Sequence, residues 1–251
     1  MRAIPGYQVR ITGLAQRCVT MLRIASYNIH QCVGRDGQSR PQRIRRVLRN
    51  LDADICALQE VEQVREEPGL LAYLCEGRPW HAIHGPTLFR NGGDYGNAVI
   101  TSLPVQDVRK LDISESRHEP RGVLWVTLEY RDRPIDVVAT HLGLWPGERR
   151  AQVNRIIQAL TTAATTRTED RLTIMLGDLN EWFLWGRPMR WLAKYFGHSP
   201  APATFPAHCP VFSLDRVWCH PRRHMNTVAA VNSPLTRIAS DHLPLAAELT
   251  L

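Results

Sequence analysis

The chain has 251 residues, 44% of them hydrophobic, which suits one large folded domain or two small ones. No apolar run approaches the roughly 20 residues that a helix needs to span a bilayer, so no transmembrane helix is expected. The formal net charge is +7 and rests almost wholly on arginine, Lys110 and Lys194 being the only lysines. A basic surface attracts nucleic acid or anionic lipid, and arginine grips phosphate in a bidentate way. A coding bias toward arginine explains the same composition equally well.

Taken in chain order, residues 1–21 read as an N-terminal extension and 22–251 as the domain. Arg2, Arg10 and Arg17 flank no apolar core, because Gln8, Thr12, Gly13 and Gln16 interrupt it, so no secretory signal is expected. Residues 22–29 alternate like a strand. Pro41 opens a helix over 41–51 with Ile44, Val47, Leu48 and Leu51 on one face and Arg43, Arg45, Arg46 and Arg49 on the other. A short apolar strand over 54–61 ends in Gln59-Glu60, and 69–75 reads as a helix. Residues 96–102 and 105–111 read as a strand pair around Leu103-Pro104. Residues 123–130 and 135–141 form a hairpin across Arg131-Asp132-Arg133-Pro134. A long amphipathic helix covers 147–165. A strand over 172–177, a helix near 188–196, a Pro-rich loop over 200–210 and strands over 213–219 and 243–250 complete the chain. Strands outnumber helices and partly alternate with them, which predicts one α/β domain whose sheets carry helices on their outer faces.

Polar residues recur where these strands meet loops. Asn28, Glu60, His141, Asp178, Asn180, Asp215, Asp241 and His242 each sit at such a junction. Polar groups at the ends of several strands tend to converge on one sheet edge. Oxygen donors beside a histidine suit metal-assisted phosphate chemistry. Asn97 fits either a site or a turn, and Arg121 either a phosphate or a carboxylate partner. His30 lies on the Asn28 face if the first strand continues that far. Cys209, Cys219, His220 and His224 have no zinc-finger spacing. The six cysteines, at 18, 32, 56, 75, 209 and 219, form no CxxC pair, so a reducing, cytoplasmic compartment is expected. Trp145, Trp182, Trp185 and Trp191 follow the site motifs and fit core packing, base stacking or a lipid interface.

The ordered set Ser26-Tyr27-Asn28, Leu58-Gln59-Glu60-Val61, Tyr95-Gly96-Asn97-Ala98, Arg121-Gly122, Thr140-His141-Leu142, Gly177-Asp178-Leu179-Asn180, Leu214-Asp215 and Ser240-Asp241-His242-Leu243-Pro244 resembles the endonuclease/exonuclease/phosphatase superfamily, deoxyribonuclease I included. It covers roughly residues 22–251 and is similar to the small bacterial, YbhP-like hydrolases of that group. The resemblance implies a four-layer α/β sandwich, two mixed β-sheets packed face to face with helices outside. It implies a metal-dependent phosphoesterase acting on a phosphodiester, in nucleic acid or a phospholipid-type substrate, with Mg²⁺ or Mn²⁺ as cofactor. Glu60, Asn28 and Asp241 would hold the metal, and His242 would activate water with Asp215 orienting its ring. Asp178 and Asn180 would position the nucleophile and phosphoryl oxygens, and His141 would contact the phosphate. Asn97, Arg121 and His30 would bind substrate. A monomer with peripheral membrane contact fits the same reading. The competing reading is a catalytically silent module that keeps the fold and binds polyanions.

Overall fold

The computed structural model describes residues 21–64, 69–90, 92–166 and 171–251. The predicted extension lies outside the described residues except for Met21, which is already in a strand and pairs with Thr250. The elements in order are β1 (Met21–Asn28), α1 (Pro41–Leu51), β2 (Ile55–Val64), α2 (Leu70–Cys75), β3 (His81–Arg90), β4 (Gly93–Thr101), β5 (Val105–Asp112), β6 (Gly122–Tyr130), β7 (Arg133–His141), α3 (Pro146–Thr166), β8 (Leu172–Asp178), α4 (Arg187–Phe196), β9 (Asp215–His220), β10 (Met225–Ala230), α5 (Thr236–Ala239) and β11 (Leu245–Thr250).

The strands form two mixed sheets, one of six strands in the order β10-β11-β1-β2-β4-β3 and one of five in the order β5-β6-β7-β8-β9. Period-two alternation explains why they stack. Ile24, Ile55, Val99, Leu124, Val126, Val137, Ile174 and Val217 point inward and fill the space between the sheets. Their neighbours point outward: Ala25, Cys56 and Leu58 meet Ile44, Val47, Leu48 and Leu74 of α1 and α2. On the other side Trp125, Val138 and Met175 meet Val153, Ile156, Leu160 and Leu192 of α3 and α4. Helix, sheet, sheet and helix make four layers, as expected.

Local chemistry sets several boundaries. Pro41 occupies the first turn of α1, where its missing N–H costs nothing, and Asp52 ends the helix in a left-handed conformation. The β6–β7 hairpin closes through Arg131 and Asp132, both at positive φ, the conformation of a tight two-residue turn that matches strand twist.

One expectation is corrected, and two strands have no sequence signal. The predicted pair over 96–102 and 105–111 does not pair. β4 lies between β2 and β3, β5 lies on the edge beside β6, and Leu103-Pro104 carries the chain from one sheet to the other. The partner of β4 is β3, whose His-Ala-Ile-His-Gly-Pro sequence has no apolar alternation to announce it. β10 likewise went unpredicted, because Met225–Ala230 contains no run of bulky apolar residues.

Candidate active site

All the strand-end groups reach one end of the sandwich. β1 and β2 run parallel and β11 antiparallel to them, so the end of β1 lies beside the loop that precedes β11. In the second sheet β7 and β8 are parallel and β9 is antiparallel, so His141, Asp178 and Asp215 come level.

Glu60 is not at a strand end. β2 continues to Val64, and its register slips between Leu58, opposite Ala98, and Val61, opposite Gly96. Gln59 and Glu60 together therefore face Asn97, and Glu60 has φ of 56°. Such a bulge re-aims a side chain without ending the strand. Here it turns Glu60 toward Asn28, whose Nδ2 donates to Glu60 Oε1 at 3.0 Å and to Asp178 Oδ2 at 3.0 Å. Asn28 thus joins the two sheets through one amide. Asn97 is not in a turn: it is buried in β4, and its Nδ2 donates to the carbonyl of Gly122 in the opposite sheet.

Asp178 is held by the turn that follows it. Gly177 has φ of 151°, and a Cβ there would lie 1.8 Å from the Thr140 carbonyl oxygen, so no other residue fits. The Asn180 N–H donates to Asp178 Oδ1 at 2.9 Å, which leaves Asp178 Oδ2 facing His141 Nε2 at 3.5 Å and His242 Nε2 at 3.7 Å. Asn180 Nδ2 lies 3.0 Å from His141 Nε2 and donates to the Leu142 carbonyl at 2.9 Å. Arg121 Nη1 meets His141 Nδ1 at 3.2 Å and Glu119 at 2.9 Å. Because a guanidinium only donates, His141 Nδ1 accepts; the neutral ring then carries its proton on Nε2, directed at Asp178 Oδ2, and Asn180 Nδ2, itself a donor, abuts that nitrogen without bonding to it.

His242 meets Asp215 through Nδ1 at 2.8 Å. Thr204 also donates to the same carboxylate oxygen, at 2.6 Å, and the ring of Phe205 packs 4.9 Å from the imidazole. Ser240 Oγ donates to the Asn28 carbonyl at 2.8 Å, which docks the loop carrying Asp241 and His242 onto the end of β1.

The charges are unevenly matched. Burial opposes protonation of His242, yet Asp215 and Asp178 outweigh it and raise its pKa to about 10. Burial, the Arg121 guanidinium and His242 push His141 well below 6.5. Burial raises Asp178 to about 6, with His242 pulling against it. Among the described residues no arginine or lysine forms an ion pair with Glu60, Asp178, Asp215 or Asp241. Asp178, Asp215 and Asp241 meet imidazoles instead, those of His141, His242 and His30, and Glu60 has no ionic partner among the described residues.

His30 is not placed by strand periodicity. β1 stops at Asn28, and His30 opens a 3₁₀ turn, His30–Cys32, with positive φ at each residue. Its ring meets the Val33 carbonyl at 3.0 Å and lies 3.9 Å from the half-exposed Asp241. The Cys209, Cys219, His220 and His224 set does not converge; His224 is occupied by the Thr250 carbonyl. The one Cys, His, Asp and Glu grouping compact enough for a metal among the described residues is Asp178, Asp215 and His242. The arginine face of α1 is largely spent internally: Arg43 pairs with Asp36, and Arg45 with Glu76 over the Tyr73 ring. Two contributors escaped the sequence reading. Thr204 lies in the Pro-rich loop and Gln31 in the 3₁₀ turn, 3.5 Å from Glu60 Oε2. Neither stands at a strand end, the signal that located the others.

The model of the "Endonuclease/Exonuclease/phosphatase family" matches residues 25–242. The Escherichia coli K12 protein YbhP, described as uncharacterized, is 27% identical over 228 residues, 83% of this chain and 87% of that protein. Among solved structures, the Bacteroides thetaiotaomicron mannosyl-6-phosphatase Bt3783 superposes with a TM-score of 0.74 at 18% identity, covering 92% of this chain and all of that one. Truncated Caenorhabditis elegans TDP2 superposes with a TM-score of 0.67 at 18% identity, over 92% of this chain and 98% of that one.

Proposed function

The chain belongs to the endonuclease/exonuclease/phosphatase family of phosphoesterase hydrolases, and from that premise we propose that it is a divalent-metal-dependent phosphodiesterase that breaks a P–O bond by attack of water. The observation that carries this reading is the set of carboxylates Glu60, Asp178, Asp215 and Asp241 gathered at one end of the sheets without an arginine or lysine partner among the described residues. Buried or half-buried carboxylates are stable only when paired, hydrogen-bonded or bound to a cation. Asp215 Oδ1 is buried with no hydrogen-bond partner, a further mark of an unfilled demand for positive charge. Hard oxygen donors of this kind suit Mg²⁺ or Mn²⁺.

Glu60, Asn28 and Asp241 would hold the ion, leaving the compact Asp178, Asp215 and His242 set, in which Asp215 already holds His242 Nδ1, to the proton chemistry; Asn28 also fixes Glu60 and Asp178 relative to each other through its Nδ2. When bound, the ion would supply positive charge beside the phosphate and would lower the proton affinity of His242. His242 takes that proton from water on Nε2, because Asp215 holds Nδ1. Asp178 and Asn180 orient the water and the phosphoryl oxygens. His141, kept neutral beside Arg121, serves as a hydrogen-bond donor from Nε2 to a phosphoryl oxygen and not as a proton-loaded acid. The silent-module reading gains nothing from this arrangement, in which every donor the chemistry needs is present.

The test is hydrolysis of bis-p-nitrophenyl phosphate with Mg²⁺ or Mn²⁺ and after EDTA, followed by a panel of DNA, RNA, phospholipid and a sugar phosphate at fixed salt. EDTA-sensitive turnover that Glu60→Gln abolishes while folding is intact supports the reading. Absence of EDTA-sensitive turnover on every substrate overturns it.

A further inference from the structure

The loops that frame this site carry an apolar rim that packing does not explain. Leu144 and Trp145 follow β7, Phe183, Leu184 and Trp185 follow Asn180, and Val211 lies in the loop that leads to Asp215; all are exposed, Trp185 by 72% and Trp145 by 62%. Exposed apolar side chains scattered singly need no explanation, but a set gathered around one mouth does. The rim is braced. Arg149, almost fully buried, donates to Glu181 at 3.1 Å and to the Leu144 carbonyl at 2.6 Å, tying the two aromatic loops together. Glu181 in turn accepts the Phe183 N–H at 3.2 Å. The rim also touches the chemistry: Trp182 packs edge-on against Phe205, which lies on His242.

Two observations decide what fits here. Leu144, Leu184 and Val211 have no ring with which to stack on a base. The aromatic faces are partly used among themselves, Phe183 against Trp185 at 5.4 Å and Trp145 against His118 at 6.1 Å. Mixed aliphatic and indole side chains instead suit the boundary between headgroups and acyl chains. Exposed charge along the rim loops themselves is of one sign, and Glu115 and Glu119, in the loop that carries His118, pair with Arg155 and Arg121. Arg150, Arg187 and Arg190 are exposed beside the rim, whereas Glu148, Asp178 and Glu181, the acids in the described part of 142–212, are all buried. Basic side chains next to an apolar patch are attracted to anionic lipid. No helix among the described residues is long and apolar enough to cross a membrane, so the contact is with the surface.

We infer that this end of the protein docks on an anionic phospholipid surface and presents a lipid-headgroup phosphodiester to the Asp178–His242 site. The docking stands on the rim alone; the substrate class rests on the phosphodiesterase reading above.

The two parts separate in one experiment. Full-length protein is sedimented in EDTA with vesicles of phosphatidylcholine alone or mixed with phosphatidylglycerol, and hydrolysis of the vesicles and of bis-p-nitrophenyl phosphate is then measured with Mg²⁺. The wild type is expected to bind the mixed vesicles preferentially and to release phosphorylated headgroups or free headgroups from them. Trp145→Ser/Trp185→Ser is expected to lower vesicle binding at least about tenfold and vesicle hydrolysis in parallel, with turnover of the soluble ester within about twofold of wild type. Trp185→Lys, tested alongside, adds a positive charge while removing the indole and is expected to bind more weakly than wild type. Soluble-ester turnover without vesicle binding overturns the docking and leaves the phosphodiesterase reading standing. Vesicle binding with neither ester cleaved overturns the substrate class and leaves the docking. Loss of single-stranded DNA binding, with vesicle binding unchanged in both variants, overturns the inference in favour of base stacking. A wild-type dimer made monomeric by the double variant, again without change in vesicle binding, overturns it in favour of self-association.

Discussion

His141 and His242 stand on either side of Asp178 Oδ2, at 3.5 Å and 3.7 Å, and both are buried, yet the structure drives them in opposite directions. His242 sits between two carboxylates and is raised to about 10, while His141 sits against a guanidinium and falls well below 6.5. Burial alone lowers both. The neighbour bonded at Nδ1, Asp215 in one case and Arg121 in the other, decides which ring gains a proton. One carboxylate is thus flanked by a base and by a neutral donor, and the two roles in the proposed reaction are set by what lies behind each ring.

The sharpest way to break this comparison is to remove the base. His242→Gln is expected to lower turnover on bis-p-nitrophenyl phosphate by about 10³–10⁴-fold, the upper part of the range for a positioned acid–base group. His141→Gln is expected to cost less, about 10²-fold, because it removes a hydrogen bond to a phosphoryl oxygen and leaves the proton route intact. Equal losses in the two variants would mean that the rings share one task. Arg121→Met probes the partner itself. Without the guanidinium, His141 loses a donor and a repelling charge, so its pKa is expected to rise, as read from its ring proton shifts in a pH titration, while turnover falls about tenfold. An unchanged titration would show that burial alone controls His141.

Much of this site was legible in the sequence because strand ends announce themselves. Apolar runs such as Leu172 to Leu176 and Val137 to Ala139 fix the strands, and an acid, amide or imidazole directly after them has to lie at the sheet edge. Topology then brings those ends together: Asp215 begins β9 rather than ending it, yet antiparallel pairing sets it opposite Asp178. What escaped depended on departures from regular geometry. The bulge at Gln59-Glu60 is set by pairing with β4, a contact more than thirty residues away in sequence. Strand periodicity sets His30 on the Asn28 face only if β1 continues, and the chain instead turns after Asn28 into positive φ. Thr204 reaches Asp215 from a loop whose path follows from its bond to Leu243, and no local pattern encodes that. Arg121 was left between phosphate and carboxylate as partners; the fold gives it Glu119 and a ring nitrogen of His141.

The smallest expected effect tests the two rings at opposite ends of one pH profile. In metal-free protein, His242 is raised from 6.5 to about 10. Its contribution to stability is therefore fully present below pH 6.5 and is lost as pH rises through 10. His141 is depressed, so below pH 6.5 the unfolded chain binds the proton that the folded chain refuses, and stability falls as pH falls. Each ring contributes a slope of at most about 1.4 kcal/mol per pH unit inside its own window. Melting curves from pH 5 to about 10 in EDTA should therefore change on different limbs: His242→Gln flattens the alkaline side, and His141→Gln flattens the acid side. Asp178, raised to about 6, adds an acid-side slope of opposite sign, which the wild type and the His141 variant share. A His242 variant that left the alkaline limb intact would show that Asp215 does not hold a proton on that ring, and the opposition between the two histidines would fail at its stronger end.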